Sequence, residues 1–246
     1  LVHQIKSEFD VDNRFRIHEM RKPLKTCGLK CSSLLQGLNN LRSDSRYLVL
    51  IDADVTPHPK WLGQLIAPLQ DKKIGVVTGN QWYEPETSSI GSALRSLWNA
   101  GALVPTAILS NPWAGTFAMR MEDVRRAKLQ KIWRKSIVDD GPIREALQPL
   151  GLSIYFSPSL IMVNRDRCTF KYVNRYISRM LTWSRMYETT FVNTVLHAMV
   201  TFGLLGACLV AFLFSLLNQD WSSATVVGSS LMAGLLITSI SYFVIR

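Results

Sequence analysis

The stretch Tyr47-Leu48-Val49-Leu50-Ile51-Asp52-Ala53-Asp54 decides the fold of this chain. Its first five residues are all apolar, and a continuous apolar run of this length predicts a buried strand. The run ends abruptly in two carboxylates that are one residue apart. In open parallel sheets, ligands bind outside the carboxyl ends of the strands. Asp52 and Asp54 are therefore the first candidates for functional residues.

The sequence on both sides of this strand alternates between helical and extended patterns. Helical spacing of apolar residues occurs at Leu1–Phe9, Leu29–Leu41, Trp61–Leu69 and Pro142–Leu150. Extended patterns occur at Phe15–His18, Ile74–Thr78 and Ser153–Ser157. Alternating helices and strands are typical of α/β domains. We therefore predict an α/β fold with a largely parallel sheet.

The C-terminal quarter of the chain has a different character. Phe191–Leu217 and Ser222–Ile245 contain no Lys, Arg, Asp or Glu. Each stretch exceeds the roughly 20 residues that a helix needs to cross a bilayer. Because only a short connection separates them, they predict an antiparallel transmembrane hairpin with helices at about 192–217 and 222–245. A pair of buried core helices in a soluble bundle is the alternative.

The chain carries a formal net charge of +10, and cations cluster before the first uncharged stretch. They are Arg165, Arg167, Lys171, Arg175, Arg179 and Arg185. Positive residues beside a span stay on the cytoplasmic side, so we expect residues 1–190 in the cytosol. Aromatic residues among these cations predict an amphipathic helix at the level of lipid headgroups, and a solvated basic face is the alternative. No motif that enters a nucleic-acid groove is present, so we expect no nucleic-acid partner.

The Asp52-Ala53-Asp54 triplet has two interpretations. Paired carboxylates after a strand can bind a hard divalent cation that also holds a diphosphate. The same triplet is also common as an ordinary turn or helix cap. Further segments accompany it at Gly28-Leu29-Lys30, Pro112–Arg120, Val138-Asp139-Asp140-Gly141 and Arg179-Met180-Leu181-Thr182-Trp183.

In this order and spacing, these segments resemble the family 2 glycosyltransferases of the GT-A fold, most closely their membrane-bound ceramide-glucosyltransferase-like branch. The resemblance covers about Leu1–Tyr187, and the C-terminal stretches also fit the branch. It implies a cytosolic GT-A domain over residues 1–163, with a mostly parallel sheet flanked by helices. A basic interfacial segment over 164–190 and two transmembrane helices over 191–246 follow. We expect the family's first strands and its uridine-binding acidic motif to precede Leu1.

The resemblance assigns roles to four acidic residues. Asp52 and Asp54 match the DxD motif, which implies Mg²⁺ or Mn²⁺ and a sugar-nucleotide diphosphate, with Asp54 as the main metal ligand. Asp140 matches the general base for the acceptor hydroxyl, and Asp139 matches the acid before it. A helix N-cap before Pro142 is the structural alternative for Asp139 and Asp140, and both roles can hold together.

The remaining matches concern the donor and acceptor surfaces. The resemblance places Lys30 at the nucleotide-sugar site and Gly115 in the small-residue loop that lines the donor sugar. Arg179 and Trp183 match the ends of the (Q/R)xxRW motif, whose Arg is replaced here by Thr182. Four aromatic residues fit either an acceptor surface or core packing, namely Trp82, Tyr83, Trp98 and Trp113.

The function implied is that of a metal-dependent hexosyltransferase. We expect an integral membrane protein whose cytoplasmic domain moves a sugar from a nucleotide donor, a UDP-sugar, to the hydroxyl of a ceramide-like lipid. Two alternatives stay open at this point. One is a polysaccharide synthase subunit, and the other is a catalytically inactive, membrane-anchored protein that binds sugar nucleotides or lipids.

Overall fold

The computed structural model describes residues 16–20, 22–109, 111–187 and 191–244. The predicted helix at Leu1–Phe9 lies outside the described residues, and residues 16–18 of the predicted extended run have no regular secondary structure. The chain forms two compact units. The first comprises the described residues up to Glu84 together with Leu103–Arg165, and the second comprises Pro85–Ala102 and the chain from Asp166 onward.

The first unit contains two sheets. The strands in chain order are β1 Tyr47–Ile51, β2 Ile74–Thr78, β3 Gln81–Tyr83, β4 Thr116–Arg120, β5 Ser153–Phe156 and β6 Met162–Asn164. The larger sheet has the order β1-β4-β2-β5, and β3 pairs with β6 in a small parallel sheet. The three strands predicted from apolar runs, β1, β2 and β5, are therefore confirmed.

The prediction of a largely parallel sheet needs correction. Strands β1, β2 and β5 run in one direction, but β4 lies between β1 and β2 in the opposite direction. Only the β2–β5 pair of the larger sheet is parallel. Strand β4 is buried along its whole length, so its sequence has no alternation that would indicate its neighbours. Because β4 is antiparallel to β1, the residues just before β4 lie beside the residues just after β1.

Helices cover both faces of the larger sheet. The helices in chain order are α1 Leu29–Asn39, α2 Trp61–Ile66, α3 Ile90–Leu109, α4 Met121–Arg126, α5 Leu129–Trp133, α6 Ile143–Leu147, α7 Phe170–Tyr187, α8 Phe191–Leu217 and α9 Trp221–Val244. Helices α2 and α6 are shorter than predicted because each passes into a 3₁₀ turn that contains a proline, Pro68 or Pro149. Proline lacks the N–H that an α-helix needs, which explains both changes.

Alternate residues of the strands face two separate apolar clusters. Phe117 and Met119 of β4 pack in one cluster with residues of α1, α5 and α6. Ala118, between them, packs in the other with Trp61 and Leu65 of α2. This two-residue period is that of a strand whose faces are both covered. The expected architecture of a sheet flanked by helices is confirmed.

The second unit is helical. Helices α8 and α9 are joined by a short connection and agree within two residues with the bounds predicted for the C-terminal hairpin. Within residues 16–20, 22–109, 111–187 and 191–244, no helix is long and apolar enough to cross a membrane. The two transmembrane spans expected from the sequence thus have no support in the structure, although both helices exist.

Candidate active site

The loop that enters β4 closes against the end of β1. The backbone N–H of Asp52 donates to the carbonyl oxygen of Gly115 at 3.2 Å. A side chain at Gly115 would not fit, because its Cβ would lie 2.0 Å from the Trp113 ring and 2.6 Å from Oδ2 of Asp52. The antiparallel pairing of Ile51 with Thr116 explains this proximity. Gly115 therefore lets the Asp52 carboxylate lie directly against the loop.

A buried hydroxyl at the end of β2 holds the same loop. Oγ1 of Thr78 accepts a hydrogen bond from the N–H of Trp113 at 2.9 Å. It also lies 3.0 Å from the carbonyl oxygen of Trp113 and 3.1 Å from that of Thr116, to either of which it can donate its one proton. The ends of β1 and β2 thus fix the loop from two sides. Sequence analysis did not select Thr78, although its position at the carboxyl end of a predicted strand was a usable signal.

Lys30 joins two carboxylates that come from different parts of the chain. Its Nζ lies 2.7 Å from Oδ1 of Asp52 and 3.0 Å from Oδ2 of Asp139. Partial burial alone would lower the pKa of Lys30, but the charges of Asp139 and Asp52 outweigh this effect and raise the pKa above its usual value. Lys30 is therefore a protonated ammonium group that pairs with both acids.

The start of α1 is docked against the segment that carries Asp139. The N–H of Gly28 donates to the carbonyl oxygen of Ser136 at 2.8 Å. A Cβ at Gly28 would lie 2.0 Å from the carbonyl oxygen of Ile137, so only glycine permits this approach. Lys30 is placed near Asp139 by backbone packing as well as by charge.

Asp139 and Asp140 are neighbours with different surroundings. Asp139 is only 5% exposed, and its carbonyl oxygen accepts a hydrogen bond from Nε1 of Trp133 at 2.8 Å. Burial raises the pKa of Asp139, and the charge of Lys30 opposes this increase. Asp140 is partly exposed as a residue, but its carboxylate is enclosed, and Oδ2 accepts a hydrogen bond from the N–H of Ala114 at 3.4 Å. Burial and the charge of Asp139 raise the pKa of Asp140 to about 7, so its carboxylate can accept a proton near neutral pH.

The structure thus brings together Lys30, Asp52, Gly115, Asp139 and Asp140 at one edge of the sheet. Asp54 lies two residues beyond Asp52 and is exposed. In the described part of the chain, no three His, Cys, Asp or Glu residues are grouped so that they could hold a metal ion. Two aspartates supply only part of a coordination shell, but their oxygen donors fit a hard cation whose other ligands are phosphate oxygens and water.

Arg179 and Trp183 lie on α7 in the second unit. The Arg179 guanidinium carbon is 4.9 Å from the ring centroid of Trp183 and 5.8 Å from that of Tyr176, distances typical of cation–π contacts. The hydroxyl of Thr182, which replaces the family's Arg, donates to the carbonyl oxygen of Ser178 one turn earlier. The motif is therefore an ordinary helical turn whose two end residues are in contact.

The four aromatic residues for which the sequence allowed either an acceptor surface or core packing have different surroundings in the structure. Trp82 and Tyr83 are buried in the first unit, which indicates core packing. Trp113 is half-buried against Gly115 at the site. Trp98 is half-buried on the part of α3 that belongs to the second unit. Only Trp113 therefore adds an aromatic surface to the acidic cluster of the first unit.

Comparison with known proteins gave the following matches. The model of the family described as glycosyl transferase family 21 matches residues 17–242. A search of curated proteins found no match. Among solved structures, glucosyl-3-phosphoglycerate synthase from Mycobacterium tuberculosis in complex with Mn²⁺, UDP and phosphoglyceric acid is similar at 17% identity and a TM-score of 0.40, over 68% of this chain and 55% of that one. A crystal structure of a mycobacterial protein is similar at 18% identity and a TM-score of 0.37, over 70% of this chain and 54% of that one. The chain spans little more than half the length of these structures.

Proposed function

Because this chain belongs to glycosyl transferase family 21, we propose that it transfers a sugar from a nucleotide-sugar donor to an acceptor hydroxyl. The observation that carries the proposal is the contact of Lys30 with both Asp52 and Asp139, beside Asp140. Glycosyl transfer needs groups that bind a leaving diphosphate and a base that accepts a proton. The first unit offers both at one edge of the sheet.

The donor would bind on the side of Asp52. Asp52 and Asp54 would hold Mg²⁺ or Mn²⁺, which neutralises a leaving diphosphate when bound. Lys30 contributes a positive charge at the same place, and its side chain is 46% exposed and thus accessible to a donor. Gly115 and the half-buried Trp113 would line the sugar. We expect a UDP-hexose as donor. The role of Arg179 and Trp183 in binding it stays a prediction from the family resemblance.

Asp140 is the better base of the two neighbouring acids. Asp139 is buried, and its Oδ2 forms an ion pair with Lys30 at 3.0 Å, which favours a supporting role for this carboxylate. Asp140 has its pKa raised to about 7 and lies beside the loop that enters β4. In the reaction, the acceptor oxygen forms a bond to the anomeric carbon, the bond from that carbon to the diphosphate breaks, and the acceptor proton moves to Asp140.

The acceptor in this proposal is the hydroxyl of a ceramide-like lipid at the cytoplasmic face of a membrane. Support comes from the uncharged stretches Phe191–Leu217 and Ser222–Ile245 and from helix α7. On α7, Phe170 and Tyr172 are 62% and 45% exposed and stand among exposed basic residues. Exposed aromatic and basic side chains on one helix suit a lipid headgroup layer. The same reasoning places the catalytic unit in the cytoplasm.

One experiment tests the reaction and its alternatives. Membranes that contain the full-length protein are incubated with a panel of labelled nucleotide sugars, with and without chelator, and lipids and polymers are separated. We expect metal-dependent label in the lipid fraction, which Asp140→Asn abolishes. Label in polymer would indicate a polysaccharide synthase instead. Donor binding without any labelled product would indicate an inactive binding protein.

A further inference from the structure

We propose that Lys30 is a positioning residue that couples the donor carboxylate Asp52 to the loop carrying Asp139 and Asp140. In this role it keeps Asp52 and the loop with Asp139 and Asp140 at a fixed distance from each other. It also competes with a divalent cation for Asp52. The inference rests on the proposed function, since it concerns the same site. It goes further by giving Lys30 a task beyond donor binding.

Lys30 connects two segments that are far apart in sequence. Asp52 follows β1, whereas Asp139 follows α5. Both carboxylates lie within 3.0 Å of the same ammonium group. Among the described residues, Lys30 is the only cation paired with Asp139, which is 5% exposed. A buried carboxylate that loses its partner is costly, so the position of Asp139 depends on Lys30.

Backbone packing also places Lys30 beside Asp139. The backbone contacts of Gly28 with Ser136 and Ile137 fix the first turn of α1 on the Asp139 segment. The backbone of Lys30 therefore lies beside that segment, and its ammonium group reaches Asp52 and Asp139 from this position. Asp52 is the partner on the other side, and one of its oxygens is occupied by Lys30.

Lys30 and a divalent cation would compete for the Asp52 carboxylate. A divalent cation bound there would face the positive charge of Lys30 a few ångströms away. Removing that charge should strengthen cation binding by about tenfold, from the repulsion between a single and a double charge about 5 Å apart in water. The same removal should loosen the Asp139 segment and displace the base. A displacement of about 1 Å can cost about 100-fold in rate.

The test uses the full-length protein with Lys30→Met, Lys30→Arg and the control Lys25→Met, which replaces an exposed lysine outside the cluster. Binding of Mn²⁺ alone is measured by calorimetry, and amide exchange is measured over residues 136–140. For Lys30→Met we expect about tenfold tighter Mn²⁺ binding, faster exchange over 136–140 and a kcat about 100-fold lower, in addition to any rise in donor KM from the lost donor contact. Lys30→Arg should restore slow exchange, and Lys25→Met should match the unmodified protein.

Two results would overturn the proposal. One is a large rise in donor KM with unchanged exchange and Mn²⁺ binding, which would make Lys30 a donor ligand only. The other is weaker Mn²⁺ binding, or none in any variant, which would exclude competition at Asp52. If Lys30→Met fails to fold, Lys30→Gln replaces it. Metal binding and exchange need no substrate, so a failure of the proposed glycosyl transfer is recognised separately.

Discussion

At the residue scale, the neighbouring acids Asp139 and Asp140 show how different surroundings give two identical side chains different chemical properties. Asp139 is buried and forms an ion pair with Lys30, which suits a residue that positions its neighbours. Asp140 has its pKa raised to about 7 by burial and by the charge of Asp139. Groups with raised pKa values in a cluster of charged residues are candidates for proton transfer. The assignment of Asp140 as base therefore has physical support beyond the family resemblance.

The first prediction compares the two acids. Asp140→Asn should lower kcat by about 100-fold to 10,000-fold, the usual cost of removing a general base, while donor affinity measured by calorimetry stays nearly unchanged. Asp139→Asn should be milder in rate but should destabilise the fold, because it leaves Lys30 with one partner. A larger rate loss in Asp139→Asn, or a loss of donor affinity in Asp140→Asn proportional to its loss of rate, would contradict the assignment.

The second prediction concerns pH. With a pKa of about 7 in the unliganded protein, Asp140 is protonated in acid and cannot accept a proton, so kcat/KM should fall about tenfold per pH unit below about pH 6. Stability should change in the opposite direction. An aspartate in the unfolded chain ionises near pH 4, so between about pH 4 and pH 7 the folded state loses stability relative to Asp140→Asn as pH rises. Thermal unfolding of both proteins across this range checks the sign, and a constant difference in Tm would contradict it.

At the element scale, the junctions between elements build the site. A buried guanidinium, that of Arg120 at the end of β4, shows the principle. It pairs with Asp123 of α4 at 2.7 Å and donates to the carbonyl oxygens of Leu69 and Ile74, before and at the start of β2. One side chain thus joins a strand, a helix and a turn. The contact of Gly28 with the segment at Ser136 and Ile137 is the corresponding junction beside Lys30.

The third prediction tests that junction with two glycines of the same helix region. Gly28→Ala places a Cβ against the backbone of Ile137 and should cost about 1–3 kcal/mol of stability, with loss of activity as Lys30 moves. Gly37→Ala lies in α1 with nothing within 4 Å of the added Cβ and should stabilise the protein by about 0.5–1 kcal/mol with activity retained. Denaturant unfolding measures both, and equal effects would show that the start of α1 is not docked.

At the scale of the whole molecule, the chain divides into an α/β unit and a helical unit. The described residues of the first unit hold the acidic cluster, whereas α7, α8 and α9 belong to the second. The sequence assigned residues 85–102 to the same domain as the acidic motifs, but the structure groups Pro85–Ala102 with the second unit. Contacts such as that of Ser89 with the carbonyl oxygen of Cys168 account for this grouping.

The fourth prediction tests the spanning hairpin that is expected from the sequence and that the described residues do not support. In intact cells, a cysteine introduced at Asp220 should react with an impermeant label from outside, and one at Lys131 should react only after permeabilisation. Asp220 is the one charged residue of the connection between α8 and α9, and Lys131 lies on α5. Labelling of both sites only after permeabilisation would remove the support for a spanning hairpin, and the reverse pattern would invert the proposed topology.

The sequence by itself determined the elements whose residues carry a local pattern. Strands β1, β2 and β5 follow from apolar runs, and helices α1, α8 and α9 from their spacing and lack of charge. The acidic pair at Asp52 and Asp54 was found in the same way, because its position after a strand is visible along the chain. Gly115 was assigned only through the family resemblance.

Only the tertiary structure decided which of these features meet. The direction of β4 brings Gly115 against Asp52, and nothing in a uniformly buried strand indicates its partners. The meeting of Lys30 with both Asp52 and Asp139, and the pKa of Asp140 that follows from its surroundings, also depend on long-range packing. The physical reason is that hydrophobic periodicity acts within one element, whereas ion pairs and burial depend on which elements pack together.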